Sequence, residues 1–587
     1  MSLLERLTKL AKDILQHILG IVSETAKFVL SIFFQFVPLT SLALWFKSKF
    51  PKAWAYFISI DLIKKSISRA AFRRFGSSTA PRPHAFTMAA DYTSWNGLVD
   101  RSFTARHLGV DPEFGHRKQP DADRIVEMFM RGPNADNPGT QTDDLRSTLL
   151  FASFAQWFTD SFLRTSHAFK FNETDGTVER EEDGTPIRLA DREKKNDSNH
   201  EIDLCQIYGM NEDQTHLLRS HKDGCLKSQT GKDGEYPTFL LAQPPASKSE
   251  RLSIHEEFEG LHPDERILRS IFLKAGGNEG GYETLFAAGL EHSNATIGNS
   301  LMNVIFLREH NRIAREIAKK HPEFQDEEIF QKTRNTMIVI LLKIVISDYI
   351  RHISPLDLPL EFQPGLAENE TWYRTNRIHI EFNILYRWHG LVPTRFSFMD
   401  EPDNPAAFRH NNKWLMDHGV AAAVTHFSKE KAGKMIIGNT PWFLRGVKQD
   451  TMRLMRAARL MPYNAYRKRF DLPEATSFED INDDPKIAAK LKELYGGKIE
   501  DVEWYVGMCA EKHGPNQIMG DLMLQMVAHD AFTHALTNPL LSNAVFTEKT
   551  FSPAGWAILS NTQSLKQIIE RVVPADSKLH CSFSSSQ

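Results

Sequence analysis

Along most of the chain, apolar residues return every three or four positions with polar residues between them, the spacing of helices that bury one face. The pattern is most sustained over residues 300–320, 326–352, 378–389 and 517–536, and it predicts a helix over each. Alternating apolar and polar runs long enough for strands are few, and no internal repeat is present. A mainly α-helical body follows. Two stretches break the pattern. Residues 131–144 are rich in Gly, Pro, Asn and Asp, and residues 172–200 are heavily charged, so both predict surface loops.

The first 75 residues follow a different pattern. Leu3, Leu4, Leu7, Leu10, Ile14, Leu15 and Ile18 recur at helical spacing with Glu5, Arg6, Lys9 and Lys12 between them. Residues 28–46 then carry no charge, but at about 1.5 Å per residue they would reach only about 28 Å. Gln35 and Pro38 near their middle argue against a simple membrane span. Residues 54–75 mix aromatics with Lys64, Lys65, Arg69, Arg73 and Arg74.

Charge follows the same division. The whole chain of 587 residues has a formal net charge of -3, whereas residues 1–75 hold 12 basic against 4 acidic side chains. Basic amphipathic helices with Leu, Phe and Trp suit a protein lying in the interface of one membrane leaflet; the alternative is a helical subdomain packed on the remainder. The expected division is therefore a membrane-binding segment, 1–75, and a catalytic domain, 76–587. The near-neutral total gives no support for binding nucleic acid. Four separated cysteines with no CxxC pair indicate free thiols and a reducing compartment rather than a disulfide framework. Phosphate-binding loops, GxSxG and HExxH are all absent.

The chemistry concentrates in Glu381-Phe-Asn-Ile-Leu-Tyr-Arg-Trp-His-Gly390. On one continuous helix Tyr386 and His389 would share a face. A neutral imidazole can ligate haem iron, and a buried phenol can lose an electron and a proton; a packed aromatic beside a hydrogen-bonded histidine is the plainer alternative. The segment does not stand alone. Leu307-Arg-Glu-His-Asn-Arg312 resembles the helix signature of animal haem peroxidases, and EFNILYRWH resembles the segment of cyclooxygenases (prostaglandin endoperoxide synthases) that carries the radical tyrosine and proximal haem histidine. Phe154-Ala-Gln156, Asp203-Leu204, Ile207-Tyr-Gly209, Pro462 to Phe470, Thr476-Ser-Phe478 and Leu491 to Tyr495 continue the resemblance in order, from Tyr92 to about Gln567.

The resemblance implies a mainly helical haem peroxidase (cyclooxygenase-like) domain with haem b, anchored in one leaflet and forming a homodimer. It implies that His389 is the iron ligand, Tyr505 lies on the same side of the haem, Tyr386 is the radical tyrosine and Tyr349 its partner. Ile350, Ile353, Ser354, Phe382, Leu385 and Trp388 would line a channel for a polyunsaturated fatty acid, which reacts with molecular oxygen. An apolar channel fixes which carbon reacts; plain core packing is the alternative for each wall residue. Arg74, or its neighbour Arg73, falls near the family's mouth arginine, and attraction to lipid headgroups is the competing role.

The sequence also departs from the family. Gln156 is retained, but Asp160 stands where the distal histidine is expected, and His167 matches a different position. The distal histidine acts as a general acid–base for peroxide; an aspartate of ordinary pKa, about 4, accepts a proton but donates one poorly at pH 7. Within Ala528 to Phe532, Ala531 replaces the serine of the animal enzymes, and Pro355-Leu356 replaces the mouth tyrosine. The cysteine-rich module of those enzymes is absent. The expected activity is fatty-acid dioxygenation to a hydroperoxide or endoperoxide, with weak peroxidase activity. A peroxidase, a hydroperoxide-converting enzyme and a catalytically silent haem-binding membrane protein are the alternatives.

Overall fold

The structure, a computed structural model, describes residues 47–75, 104–163, 177–180, 186–188, 201–243, 252–262, 279–357, 360–368 and 378–585, with isolated positions between them. The expected amphipathic helix before residue 20, the uncharged stretch 28–46 and His167 lie outside these residues.

Helices dominate. Those that position the site are α1 (Pro51–Ser59), α2 (Asp61–Phe75), α3 (Ala122–Phe129), α4 (Leu149–Thr159), α5 (Ile297–Lys320), α6 (Asp326–Ile344), α7 (Ile380–Leu385), α8 (Arg445–Ala457), α9 (Trp504–Ala510) and α10 (Asp521–Leu536). Strands among the described residues form only two-stranded antiparallel pairs, including β1 (Asp143–Thr148) with β2 (Lys431–Gly433). A hairpin of Thr177–Arg180 with Pro186–Arg188 interrupts the excursion expected to be a simple loop.

The central element is α5. Thr296 caps its start by accepting from the Asn299 amide, and Lys319 and Lys320 sit in its last turn, favourable at a helix C-terminus. It is buried nearly all round and packs against α4 and α6. The 307–312 signature serves this packing. Arg308 donates to Glu235 O at 2.6 Å and pairs with Asp233 at 2.8 Å. His310 lies between the Tyr208 hydroxyl and Gly224 O, each at 2.9 Å, and Asn311 exchanges two hydrogen bonds with the Leu226 backbone. These buried polar groups lock loops onto the helix.

Two expected helices are broken. The pattern over 326–352 runs as α6 to Ile344, then as a π-helical turn, Val345–Tyr349, before one α-helical turn, Ile350–Ile353. Ser347 anchors the bulge, its Oγ lying 2.6 Å from Lys343 O and 2.7 Å from Gln563 O, and Asp348 accepts from the Leu565 amide at 2.9 Å. The pattern over 378–389 yields only α7. Tyr386 closes it with ψ of 11°, and the chain then turns tightly, with Trp388 N donating to Tyr386 O and His389 N to Arg387 O. Tyr386 and His389 therefore share no helix face. Gly390 enforces the turn, because a Cβ there would sit 2.8 Å from Lys434 O.

The described part of the N-terminal segment packs on the same core. Trp54, Ile58, Ile67 and Phe72 are buried in it, α2 lies against α10, and Trp54 Nε1 donates to Leu356 O at 3.3 Å. Phe50 and Tyr56 face outward. No helix among the described residues is long and apolar enough to cross a membrane.

Candidate active site

α4 presents two faces. Phe151, Phe154 and Phe158, with Phe162 just beyond, recur at helical spacing along one of them. Phe151, Phe154 and Phe158 surround the Tyr349 ring, with centroids 5.5–5.7 Å away, and Phe162 stacks on Phe382 at 5.8 Å. Tyr386 meets Phe382 edge-on at 4.9 Å and stacks on Trp388 at 4.4 Å. The buried hydroxyls of Tyr349 and Tyr386 both lack a hydrogen-bond partner, yet they are close enough to act on each other's ionisation. The two hydroxyls are therefore neighbours. Burial holds both phenols protonated, well above their ordinary pKa, and for Tyr386 the Asp530 carboxylate adds to this.

His389 follows three residues later. Its Nδ1 is buried and neither ring nitrogen has a hydrogen-bond partner among the described residues. Burial, with Lys448 and Arg387 adding to it, holds the imidazole pKa well below its usual value. A neutral, unpartnered imidazole is the donor a haem iron requires, so the residues present fit that cofactor. The segment behind His389 is rigidly held. Buried Arg131 donates to Asn439 Oδ1, Gln141 Oε1, Thr394 Oγ1 and the carbonyls of Val392 and Asn439 at 2.7–3.2 Å. Tyr505, on α9, donates to Arg387 O at 2.9 Å, which places it beside this segment. Lys448, on α8, is buried, donates to the same carbonyl at 3.2 Å and to the Tyr505 hydroxyl, and lies over the Phe129 ring of α3. Burial pushes its pKa down to about 8.

On the other face of α4, Gln156 is exposed and Asp160 caps the helix, half-buried. Asn299 Nδ2 donates to Asp160 Oδ2 at 3.2 Å. Asp160 also acts on the Arg387 guanidinium, whose pKa is lowered by burial against the pull of Tyr505, Asp450 and Asp160. Arg387 thus connects the Asp160 side of the site to the His389 segment.

Of the expected channel residues, Ile350, Ile353, Phe382, Leu385, Trp388 and Ala531 are buried, and Ser354 and Ala528 are half-buried. Those on α7 and α10 belong to helices packed together near Tyr386. Arg74 lies in the last turn of α2, and its side chain is outside the described residues. Three features escaped the sequence. The phenylalanine stripe was visible as i, i+3, i+7 spacing but reads as ordinary core. Lys448 sits among surface-like charges, and nothing local marks it as buried. The histidines around Asp530 come from three distant segments. All four cysteines are free thiols, as expected.

A profile of the animal haem peroxidases matches residues 154–581. Prostaglandin G/H synthase 1 of Mus musculus is 31% identical over 536 residues, covering 87% of this chain and 78% of that protein. Among solved structures, a fatty acid alpha-dioxygenase of Oryza sativa superposes with a TM-score of 0.66 at 16% identity, covering 97% of this chain and 98% of that one. Peroxidase A of Dictyostelium discoideum does so with a TM-score of 0.62 at 17% identity, covering 87% and 100%. The two superpositions show a shared fold.

Proposed function

The chain belongs to the animal haem peroxidase family and is homologous to the prostaglandin G/H synthases, and on that premise we propose that it oxygenates a polyunsaturated fatty acid through a radical on Tyr386. It is an oxidoreductase with haem as cofactor. His389 would hold the iron, with Tyr505 and Lys448 fixing the segment that carries it. When bound, haem supplies the one-electron oxidation that activates the site.

The observation that carries the proposal is the Tyr386 hydroxyl, buried and unpartnered between Phe382 and Trp388 and facing Tyr349. A buried phenol with no acceptor keeps its hydrogen until it is taken as a hydrogen atom. The oxyl radical left on Tyr386 removes a hydrogen atom from a bis-allylic carbon. The resulting carbon radical adds molecular oxygen. The peroxyl radical then recovers the hydrogen atom from the Tyr386 hydroxyl, giving a hydroperoxide and restoring the tyrosyl radical. Ile350, Ile353, Phe382, Leu385, Trp388 and Ala531 would hold the chain still, since orientation selects the carbon. Arg74 would meet the carboxylate.

Asp160 limits peroxide chemistry. Asp160 accepts from Asn299 Nδ2 and lies near the Arg387 guanidinium, and a carboxylate is a poorer proton donor at pH 7 than the histidine it replaces. It can accept a proton but has little to return, so weak peroxidase activity and a hydroperoxide or endoperoxide product follow. We further assign residues 1–75 to one leaflet's interface and 76–587 to the catalytic domain, in a homodimer. For α1, outward Tyr56 and Phe50 at its N-cap support that placement.

The test is oxygen uptake by the haem-loaded protein with linoleate or arachidonate and a trace of lipid hydroperoxide. Uptake is expected, and Tyr386→Phe should abolish it while the Soret band persists. Undiminished turnover in that variant would end the radical mechanism.

A further inference from the structure

Four histidines surround one aspartate in the core. Asp530, on α10, is fully buried, as are His107, His379, His529 and His534. Asp530 Oδ2 lies 2.9 Å from His107 Nε2, and Oδ1 lies 2.7 Å from His379 Nδ1 and 3.5 Å from His529 Nδ1. Two triads share this carboxylate, His107–His529–Asp530 and His379–Asp530–His534, each with its ligating atoms within 4.8 Å of one another.

We propose that this cluster is a second metal centre, distinct from the haem, that takes one divalent transition-metal ion, Zn²⁺ foremost. Imidazole nitrogens with a single carboxylate suit zinc and its neighbours, whereas calcium and magnesium require oxygen-rich sites. With zinc–ligand distances of about 2.0–2.1 Å, tetrahedral neighbours stand roughly 3.3 Å apart. The three carboxylate–imidazole separations, 2.7, 2.9 and 3.5 Å, lie within about 0.6 Å of that value.

The charge state also fits. Among the described residues no lysine or arginine forms an ion pair with Asp530. A buried carboxylate with no cationic side chain beside it is costly, and a divalent cation would offset that cost. His107 Nδ1, buried and without a partner, is a further unused ring nitrogen here.

The backbone around the cluster is preorganised. Ala105 N donates to Ile378 O at 2.8 Å and Ile380 N to Ala105 O at 2.9 Å, which sets His107 and His379 on adjacent strands of chain with their rings stacked at 3.7 Å. Glu381 Oε1 accepts from His107 N at 3.2 Å and from the Tyr466 hydroxyl at 2.8 Å. The ion would join residues 105–107, α7 and α10 behind Tyr386. His534 stacks on Phe382 at 6.3 Å, and Phe382 touches Tyr386.

The test is elemental analysis of the untagged, haem-loaded protein, followed by chelation and reloading with Zn²⁺ or Co²⁺. About one divalent ion per chain beyond the haem iron is expected. Co²⁺ should give visible d–d absorption, and Asp530→Asn and His379→Ala should lose the ion while keeping the Soret band. Because those variants can misfold, zinc-edge X-ray absorption on the unaltered protein is the second measurement. A histidine-rich first shell supports the site, and an oxygen-only shell marks adventitious zinc and overturns it. Absence of a second metal, with no binding on Zn²⁺ or Co²⁺ titration, also overturns it and leaves a hydrogen-bonded His–Asp network.

Discussion

Replacing Lys448 by methionine tests how the charge beneath the His389 segment is tolerated. The ammonium is buried against Tyr505, Phe129 and the Arg387 carbonyl. Burial lowers its pKa from the model-compound value of 10.5 to about 8, so holding the charge costs the fold up to about 3 kcal/mol at pH 7. Methionine conserves the unbranched stem, and Tyr505 still donates to Arg387 O, so no buried carbonyl is orphaned. Loss of the charged hydrogen bonds takes back about 1–2 kcal/mol. The variant should therefore be more stable by about 1–2 kcal/mol at pH 7.

The sign with pH is specific. Below the folded-state value of about 8 the lysine is protonated in both states, and its destabilisation is complete. As pH rises from 8 towards 10.5 the folded chain sheds the proton first, and the unfolded chain binds more protons than the folded one. Stability of the unaltered chain then rises relative to the variant. Urea unfolding of the haem-free chain, followed by tryptophan fluorescence at pH 7, 9 and 10.5, measures both effects. A variant less stable at pH 7, or a difference that does not change with pH, would refute the reasoning. In the haem-loaded protein the same change removes a cation from the His389 side and should lower the reduction potential.

Two further outcomes are expected. Asp160→His should raise guaiacol peroxidation about a hundred-fold or more by restoring a general acid and shorten any lag in oxygen uptake, whereas Asp160→Asn should give neither gain in the same stopped-flow and oxygen-electrode assays. Gly390→Ala places a methyl group 2.8 Å from Lys434 O; it should cost about 1–3 kcal/mol in thermal unfolding and reduce haem uptake, read from the Soret band.

Much of this was legible in the chain because the long helices bury residues at regular spacing. α5 and α10 lie within four residues of where their periodicity places them. The 378–389 helix was not, because local periodicity cannot register Lys434 O pressing on Gly390 from a distant segment. The identities of Tyr386, Tyr349 and His389 came from motif order rather than from geometry, and the structure supplies their burial and lack of partners. Lys448 and the histidines around Asp530 were illegible for one reason: each becomes notable only when sequence-distant segments converge. His107 and His379 stand 272 positions apart in the chain, yet their rings stack.

The π-helical turn at Val345–Tyr349 gives the site an unusual dependence on length. In an α-helix each residue advances the side-chain direction by about 100°, and a π turn absorbs one residue beyond the α count. Upstream of it α6 is buried in the core, and Tyr349, its last residue, meets Tyr386. Were the same residues wound as an unbroken α-helix, Tyr349 would swing about 100° out of the phenylalanine stripe, whereas removing one residue between Lys343 and Asp348 would heal the helix and leave Tyr349 in place. The pairing of the two tyrosines is thus encoded in a count of residues as much as in their kind.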